Sequence, residues 1–178
     1  KGAEAISSYT SLPRQEAFNI EYWLLEEAKL QRMPKPKPLS GRVALVTGSG
    51  GGIGKAIAKK FASEGACVVL SDNNAERLAE AKEEFVKTFG KDILGSCLLD
   101  VTDATSIKEA AKEATLCFGG LDLIVNNAGI SISKTIEDHT EKDWDLLYDI
   151  LVKGQMLVTQ TAVGIMCKQN MGGDILNI

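Results

Sequence analysis

From Arg42 onward the chain alternates short apolar runs with longer amphipathic stretches. Arg42-Val-Ala-Leu-Val-Thr47, Cys67-Val-Val-Leu70, residues 93–99, Leu121-Asp-Leu-Ile-Val125 and residues 174–178 are the apolar runs. Short runs of this kind predict strands covered on both faces. Between them, residues 52–64, 74–88 and 104–117 carry apolar positions at helical spacing. A long helix is predicted over 141–169, closed by Gly172-Gly173. Regular alternation of strand and helix specifies an α/β fold with parallel strands and helical crossovers.

The first forty residues break that pattern. Ser11-Leu-Pro13 is a helix start, and residues 15–32 follow with Phe18, Tyr22, Leu25 and Lys29 or Leu30 at helical spacing. Met33-Pro-Lys-Pro-Lys-Pro38 has proline at alternate positions, which predicts an extended polyproline II linker. The chain therefore divides into residues 1–40, a helix and proline linker, and residues 41–178, the α/β domain. It starts at Lys1 and stops at Ile178 inside an apolar run, so it reads as a piece of a longer polypeptide.

Composition narrows the class. With 44% hydrophobic and 25% charged residues, disorder, collagen and coiled coil are poor fits. A net charge of −4 gives no electrostatic reason to expect nucleic acid or an anionic membrane as partner. The sequence shows no apolar run approaching the roughly 20 residues of a membrane helix. Cys67, Cys97, Cys117 and Cys167 are widely spaced, which reads as small apolar fillers in a reducing, cytoplasmic setting. His139 is the only histidine, so no metal site is expected.

The first candidate for chemistry is Thr47-Gly48-Ser49-Gly50-Gly51-Gly52-Ile53-Gly54, between the first strand and its helix. Glycines let a pyrophosphate approach the backbone, and the helix start directs free N–H groups and its positive dipole end at that anion. A P-loop is the rival cradle suggested by Gly54-Lys55. It fails because Ser49 stands where its first glycine belongs and Ala56 where a magnesium-binding hydroxyl is needed. Asp72 follows the second strand, 18 residues beyond Gly54. It suits either the adenosine ribose hydroxyls or a helix cap, and Asn74 is available to cap in its stead. A carboxylate there favours NAD over NADP, and the sequence shows no basic residue near the turn to receive a 2′-phosphate.

These residues resemble the short-chain dehydrogenase/reductase family. Thr47 to Gly54 matches its T-G-x-x-x-G-x-G loop, Asn126-Asn127-Ala128-Gly129 its N-N-A-G motif, and Leu99-Asp100-Val101-Thr102 the end of its third strand. The resemblance implies a Rossmann-like doubly wound parallel sheet of strand order 3-2-1-4-5, here carried as far as strand 5. It implies NAD as cofactor, with Gly48, Ser49, Gly52, Ile53 and Gly54 at the pyrophosphate. Asp72 and Asn73 would serve the ribose, Asp100 and Val101 the adenine, and Asn126 to Gly129 the remainder. Read without the family, Asn-Asn-Ala-Gly is a plain turn whose small residues let a nucleotide lie close and whose asparagines pin a strand. Residues 18–38 are similar to the connector of bifunctional rhamnulose-1-phosphate aldolase/alcohol dehydrogenases, in which a class II aldolase domain precedes the dehydrogenase. That similarity implies a small alcohol or aldehyde substrate such as lactaldehyde, and relatives of this kind imply a homo-oligomer.

No catalytic residue is assigned within the chain. The family's serine and Tyr-x-x-x-Lys fall after the fifth strand, and none of Tyr9, Tyr22 and Tyr148 has a lysine four residues on. In Asp149-Ile-Leu-Val-Lys-Gly154, Leu151 stands where the family carries an asparagine. The alternative to an oxidoreductase is a nucleotide-binding or assembly module without catalysis. Among the remaining residues, Trp144, Leu147, Leu151 and Val158 read as core or subunit contact and Glu26-Glu27 and Glu83-Glu84 as solvated faces. His139 reads as surface or cap, and Ser131 and Ser133 as loop residues that could line the substrate side.

Overall fold

The computed structural model of the chain describes residues 13–21, 24–32 and 35–178. Two helical segments, α1 (Arg14–Glu21) and α2 (Leu24–Arg32), precede the sheet. Five strands follow: β1 (Val43–Val46), β2 (Cys67–Asp72), β3 (Leu94–Leu98), β4 (Leu123–Asn126) and β5 (Asp174–Asn177). Their connections are α3 (Gly52–Ser63), α4 (Ala75–Phe89), α5 (Ala104–Phe118), and α6 (Glu141–Tyr148) continuing into α7 (Gln155–Gln169). The expected helix start at Ser11, Tyr9, Tyr22 and the head of the proline run at Met33-Pro34 lie outside the described residues, as do the side chains of Leu25, Glu26 and Glu27.

All pairings are parallel and the order is β3-β2-β1-β4-β5, as the sequence predicts. Alternate strand residues face opposite helical layers. On one side Val43, Leu45 and Val69 pack with Ile107 and Ala110 of α5 and Val158 and Ala162 of α7. On the other, Val46, Val68 and Leu70 pack with Ala58 and Ala62 of α3 and with Leu78 and Phe85 of α4. The chain reverses its winding between β1 and β4, the place where open α/β sheets leave a crevice at their carboxyl ends.

Four details depart from the sequence reading. β2 runs two residues further, because Ser71 and Asp72 pair with Cys97 and Leu98 and so carry the carboxylate to the strand's last position. The predicted linker is anchored at its far end: Leu39 N–H donates to the Glu64 carbonyl, and Lys37 Nζ to that of Ser63. The predicted long helix widens over Asp149–Gly154 into π-helical turns. There Gly154 lets it approach β3's exit, since a Cβ on Gly154 would lie 2.9 Å from Val101 Cγ2. The helix over Glu141–Gln169 is also long and apolar enough to cross a membrane, contrary to the expectation of no such run. In this fold Val158, Ala162, Ile165 and Met166 of that helix are core residues, and the buried Gln169 amide pairs with both the N–H and carbonyl of Leu121.

Side chains along this helix divide unevenly. Val158 is core, whereas Leu147 is half-buried, Leu151 partly exposed and Trp144 69% exposed. Glu84 is also more than a solvated face residue. Lys55 and Lys59 of α3 both donate to it, tying α3 to α4.

Candidate functional site

Thr47 begins the site. Its buried hydroxyl accepts the backbone N–H groups of Asn127 and Ala128, each at 2.9 Å, and donates to the Val125 carbonyl at 3.2 Å. One donor and two acceptors saturate a hydroxyl. The glycine loop after β1 is thereby joined to the Asn-Asn-Ala-Gly turn after β4. Asn127 returns the link, its Nδ2 donating to the carbonyls of Thr47 and Gly48.

The loop then doubles back closely enough to require glycine at two places. Gly48 has φ +64°, and a Cβ there would meet Ala128 Cα at 3.0 Å. A Cβ on Gly54 would lie 2.5 Å from the Gly48 carbonyl oxygen. At the start of α3, Gly51 offers no side-chain cap, and the first helical bond runs from Lys55 N–H to the Gly51 carbonyl. The N–H groups of Gly52, Ile53 and Gly54 precede it, outside the helical ladder, which is the arrangement that receives an anion. The Lys55 ammonium is held by Glu84 at 3.0 Å, so it serves the α3–α4 contact. Lysine hydrogen bonds, from Lys59 and then Lys55, hold the Glu84 carboxyl down at about 2.

Asp72 is 8% exposed and already engaged. Its Oδ2 accepts Gly50 N–H at 3.0 Å and its Oδ1 accepts Asn74 N–H at 3.0 Å. Asn74 caps α4 by accepting Arg77 N–H, so the cap falls to Asn74 and the carboxylate keeps unused lone pairs. Asp100 accepts from both the N–H and the hydroxyl of Thr102, which shapes the turn after β3.

These groups surround a cavity of about 680 Å³ at the carboxyl ends of the strands, within the roughly 300–1,000 Å³ of small-molecule and cofactor sites. Of the residues singled out in the sequence, Gly48, Gly52, Ile53, Asp72, Asn73, Asp100, Val101, Asn127, Ala128 and Gly129 line it. Ser49, Gly54 and Asn126 do not. Ser49 is spent on Ser71, exchanging side-chain and backbone hydrogen bonds that lengthen the β1–β2 contact. Asn126 is 1% exposed and donates to Thr159 Oγ1 and Asn177 Oδ1, pinning β4 to α7 and β5. Ser131 and Ser133 lie outside the lining as well, where Ile130 contributes.

The sequence reading missed Gly50, Gly51, Arg77, Leu99, Ile130 and Ile150 in that lining. Gly50 and Gly51 occupy variable positions of the loop motif, and Leu99 and Ile130 adjoin residues already named. Arg77 sits in the first turn of α4, which brings a cation to a place where the sequence showed none. Ile150 arrives from the π-helical segment, beside Leu151, whose Cδ2 would lie 3.1 Å from a Cβ on Gly129. No local signal announces that approach. Among the described residues no cluster of potential metal ligands occurs.

The fold defines a Rossmann-like α/β domain with a glycine loop at its switch point, and comparison with known proteins agrees on the fold. The profile of the short chain dehydrogenase family matches residues 42–178, and this chain belongs to that family. A second profile, the second domain of class II aldolases, matches residues 1–30. The chain is 37% identical over 176 residues to the uncharacterized oxidoreductase YuxG of Bacillus subtilis (strain 168), covering 99% of this chain and 26% of that protein. It is 37% identical over 140 residues to an uncharacterized oxidoreductase of Staphylococcus aureus (strain USA300), covering 79% and 58%. A crystal structure of a short-chain type dehydrogenase/reductase from Mycobacterium marinum superposes with a TM-score of 0.74 at 32% identity, over 78% of this chain and 56% of that one. The chain thus spans about a quarter of the Bacillus protein and little more than half of the others.

Proposed function

We propose that this chain is the cofactor-holding part of an NAD-dependent oxidoreductase acting on a small alcohol or aldehyde. One observation carries the reading: the unpaired N–H groups at the start of α3 and the fixed carboxylate of Asp72 face one cavity, joined by the Gly50 N–H bond. That spacing suits a pyrophosphate at the helix start and ribose hydroxyls at Asp72. Gly48, Gly52, Ala128 and Gly129 keep the wall low enough for a nucleotide. Asp100 and Val101 take the adenine, and Asn127 orients the loop. NAD, when bound, supplies the hydride acceptor; the residues here bind and orient it and exclude water from its adenosine half.

The match of residues 1–30 to a class II aldolase domain supports a bifunctional parent, in which an aldolase half delivers lactaldehyde or a similar hydroxy-aldehyde to this domain. A cytoplasmic, reducing location is consistent with four unpaired cysteines. Trp144, Leu146, Val152 and Met156 are exposed along one long helix, which supports a homo-oligomer; the net charge of −4 gives no reason to propose nucleic acid or an anionic membrane as partner. A nucleotide-binding module without catalysis is the second reading, favoured for this chain alone by its want of a Tyr-x-x-x-Lys.

Titrating the chain with NAD and ADP tests the proposal. Weak binding is expected, with ADP competing almost as well as NAD and with no alcohol turnover, since positioned proton transfer is worth typically about 10²–10⁴-fold. Failure of both nucleotides to bind overturns it. The parent protein, assayed with NAD and a panel of small hydroxy-aldehydes, separates the enzyme from the module.

A further inference from the structure

The linker before β1 is pinned to one end of α3. Lys37 Nζ donates to the Ser63 carbonyl at 2.9 Å, and Leu39 N–H donates to the Glu64 carbonyl at 3.0 Å. The last turn of a helix leaves such carbonyls without an N–H of its own, and an ammonium suits the negative end of the dipole. Ser40 N–H then bonds the Lys37 carbonyl and Arg42 N–H the Leu39 carbonyl, turning the chain into β1. Gly65 lets the linker lie this close. At its φ of +93°, a Cβ would meet Ser40 Oγ at 2.8 Å and Lys37 Cβ at 3.1 Å. The Lys60 ammonium, donating to the Glu64 carboxyl, holds it below its ordinary value, and the charge of Lys37 adds to that effect.

Reach decides where the preceding segment can lie. Arg32, the last residue of α2, stands five residues before Lys37. That stretch spans about 18 Å when fully extended and about 16 Å at the polyproline rise. With 12 residues, α3 is itself about 18 Å long. Its carboxyl end carries the linker and its start faces the cavity. Only a fully stretched linker laid back along α3 would bring α2 to the cavity. We propose that the carboxyl end of α3 is a docking surface that holds the aldolase-like segment at the amino-end rim of the sheet, so that a hydroxy-aldehyde released upstream reaches the cavity of its own chain through solvent. The inference rests on the bifunctional reading of the parent.

Two measurements test it. On this chain, hydrogen exchange followed by NMR should show the Leu39 N–H protected. Lys37→Ala should speed its exchange about threefold while leaving ADP affinity within about twofold of wild type. Gly65→Ala should speed it further, because the linker must lift from the turn. An unprotected Leu39 N–H in wild type, or exchange unaltered in both variants, overturns the docking. In the parent, aldol substrate labelled in the carbons that become the aldehyde is turned over with NAD and unlabelled lactaldehyde in solution. The oxidised product should carry the diluted label of the mixed pool, and product keeping more label than that pool overturns the passage through solvent. A parent that turns over no hydroxy-aldehyde overturns the bifunctional reading instead, and exchange at Leu39 still judges the docking.

Discussion

Thr47 and Asn127 hold each other by two hydrogen bonds that run in opposite senses. Asn127 N–H donates to Thr47 Oγ1 at 2.9 Å, and Asn127 Nδ2 donates to the Thr47 carbonyl at 3.0 Å. Two loops 80 residues apart in the chain are made one rigid floor by this exchange. Replacing Thr47 by valine keeps the shape and removes every polar function of the hydroxyl. The N–H groups of Asn127 and Ala128 and the Val125 carbonyl each lose a partner beside the cavity. Thr47→Val should cost about 2–4 kcal/mol, and Thr47→Ser about 1 kcal/mol or less. Urea denaturation measures both; equal midpoints for the two variants would refute the hydroxyl's role.

Glycines of the loop should differ sharply in their tolerance. A Cβ on Gly54 would lie 2.4 Å from Asn127 Nδ2 and 2.5 Å from the Gly48 carbonyl oxygen, so loop and helix must part. Gly54→Ala should destabilise by about 3 kcal/mol and abolish ADP binding. Gly51 has an extended backbone and open space around its Cα, and Gly51→Ala should stay within about 0.5 kcal/mol of wild type. Thermal melting with and without ADP distinguishes them, and comparable losses would contradict the geometry.

The α3–α4 clasp carries a pH signature. Lys59 and Lys55 hold the Glu84 carboxyl down at about 2, well below its ordinary value of roughly 4.3. A carboxyl depressed by folding contributes stability that is present above its unfolded value and lost as pH falls through its folded one. Stability should therefore decline between about pH 5 and pH 2, and Glu84→Gln should flatten that decline. Urea midpoints across this range provide the measurement. An unaltered acid limb in the variant would place the loss elsewhere.

Thiol reactivity should follow burial. Cys97 lies in the core at 3% exposure, and burial pushes its thiol up to about 12. Cys167 is exposed. Iodoacetamide near pH 8 should modify Cys167 while Cys97 resists until the chain unfolds, because only the thiolate attacks. Peptide mass spectrometry against time reads the order, and early labelling of Cys97 would show the core to be open.

Periodicity and motif spacing determined much of this protein before any fold was built. Apolar runs separated by amphipathic helices specified the parallel α/β class, because a strand covered on both faces must be apolar throughout, as Val43 to Val46 are. That the glycine loop, Asp72 and the turn at Asn127 share one cavity was legible for a related reason: close backbone approach, as at Gly48 and Gly54, restricts residue type locally. Tertiary structure decided the rest. Ser49 and Asn126 belong to matching motifs, yet neighbouring strands claim their side chains, and no local pattern reports what a distant strand will take. Arg77 and Ile150 reach the cavity only because α4 and the π-helical turns pack where they do. Gly154 against Val101 sets that last approach, and it depends on the space between two elements that the sequence holds more than 50 residues apart.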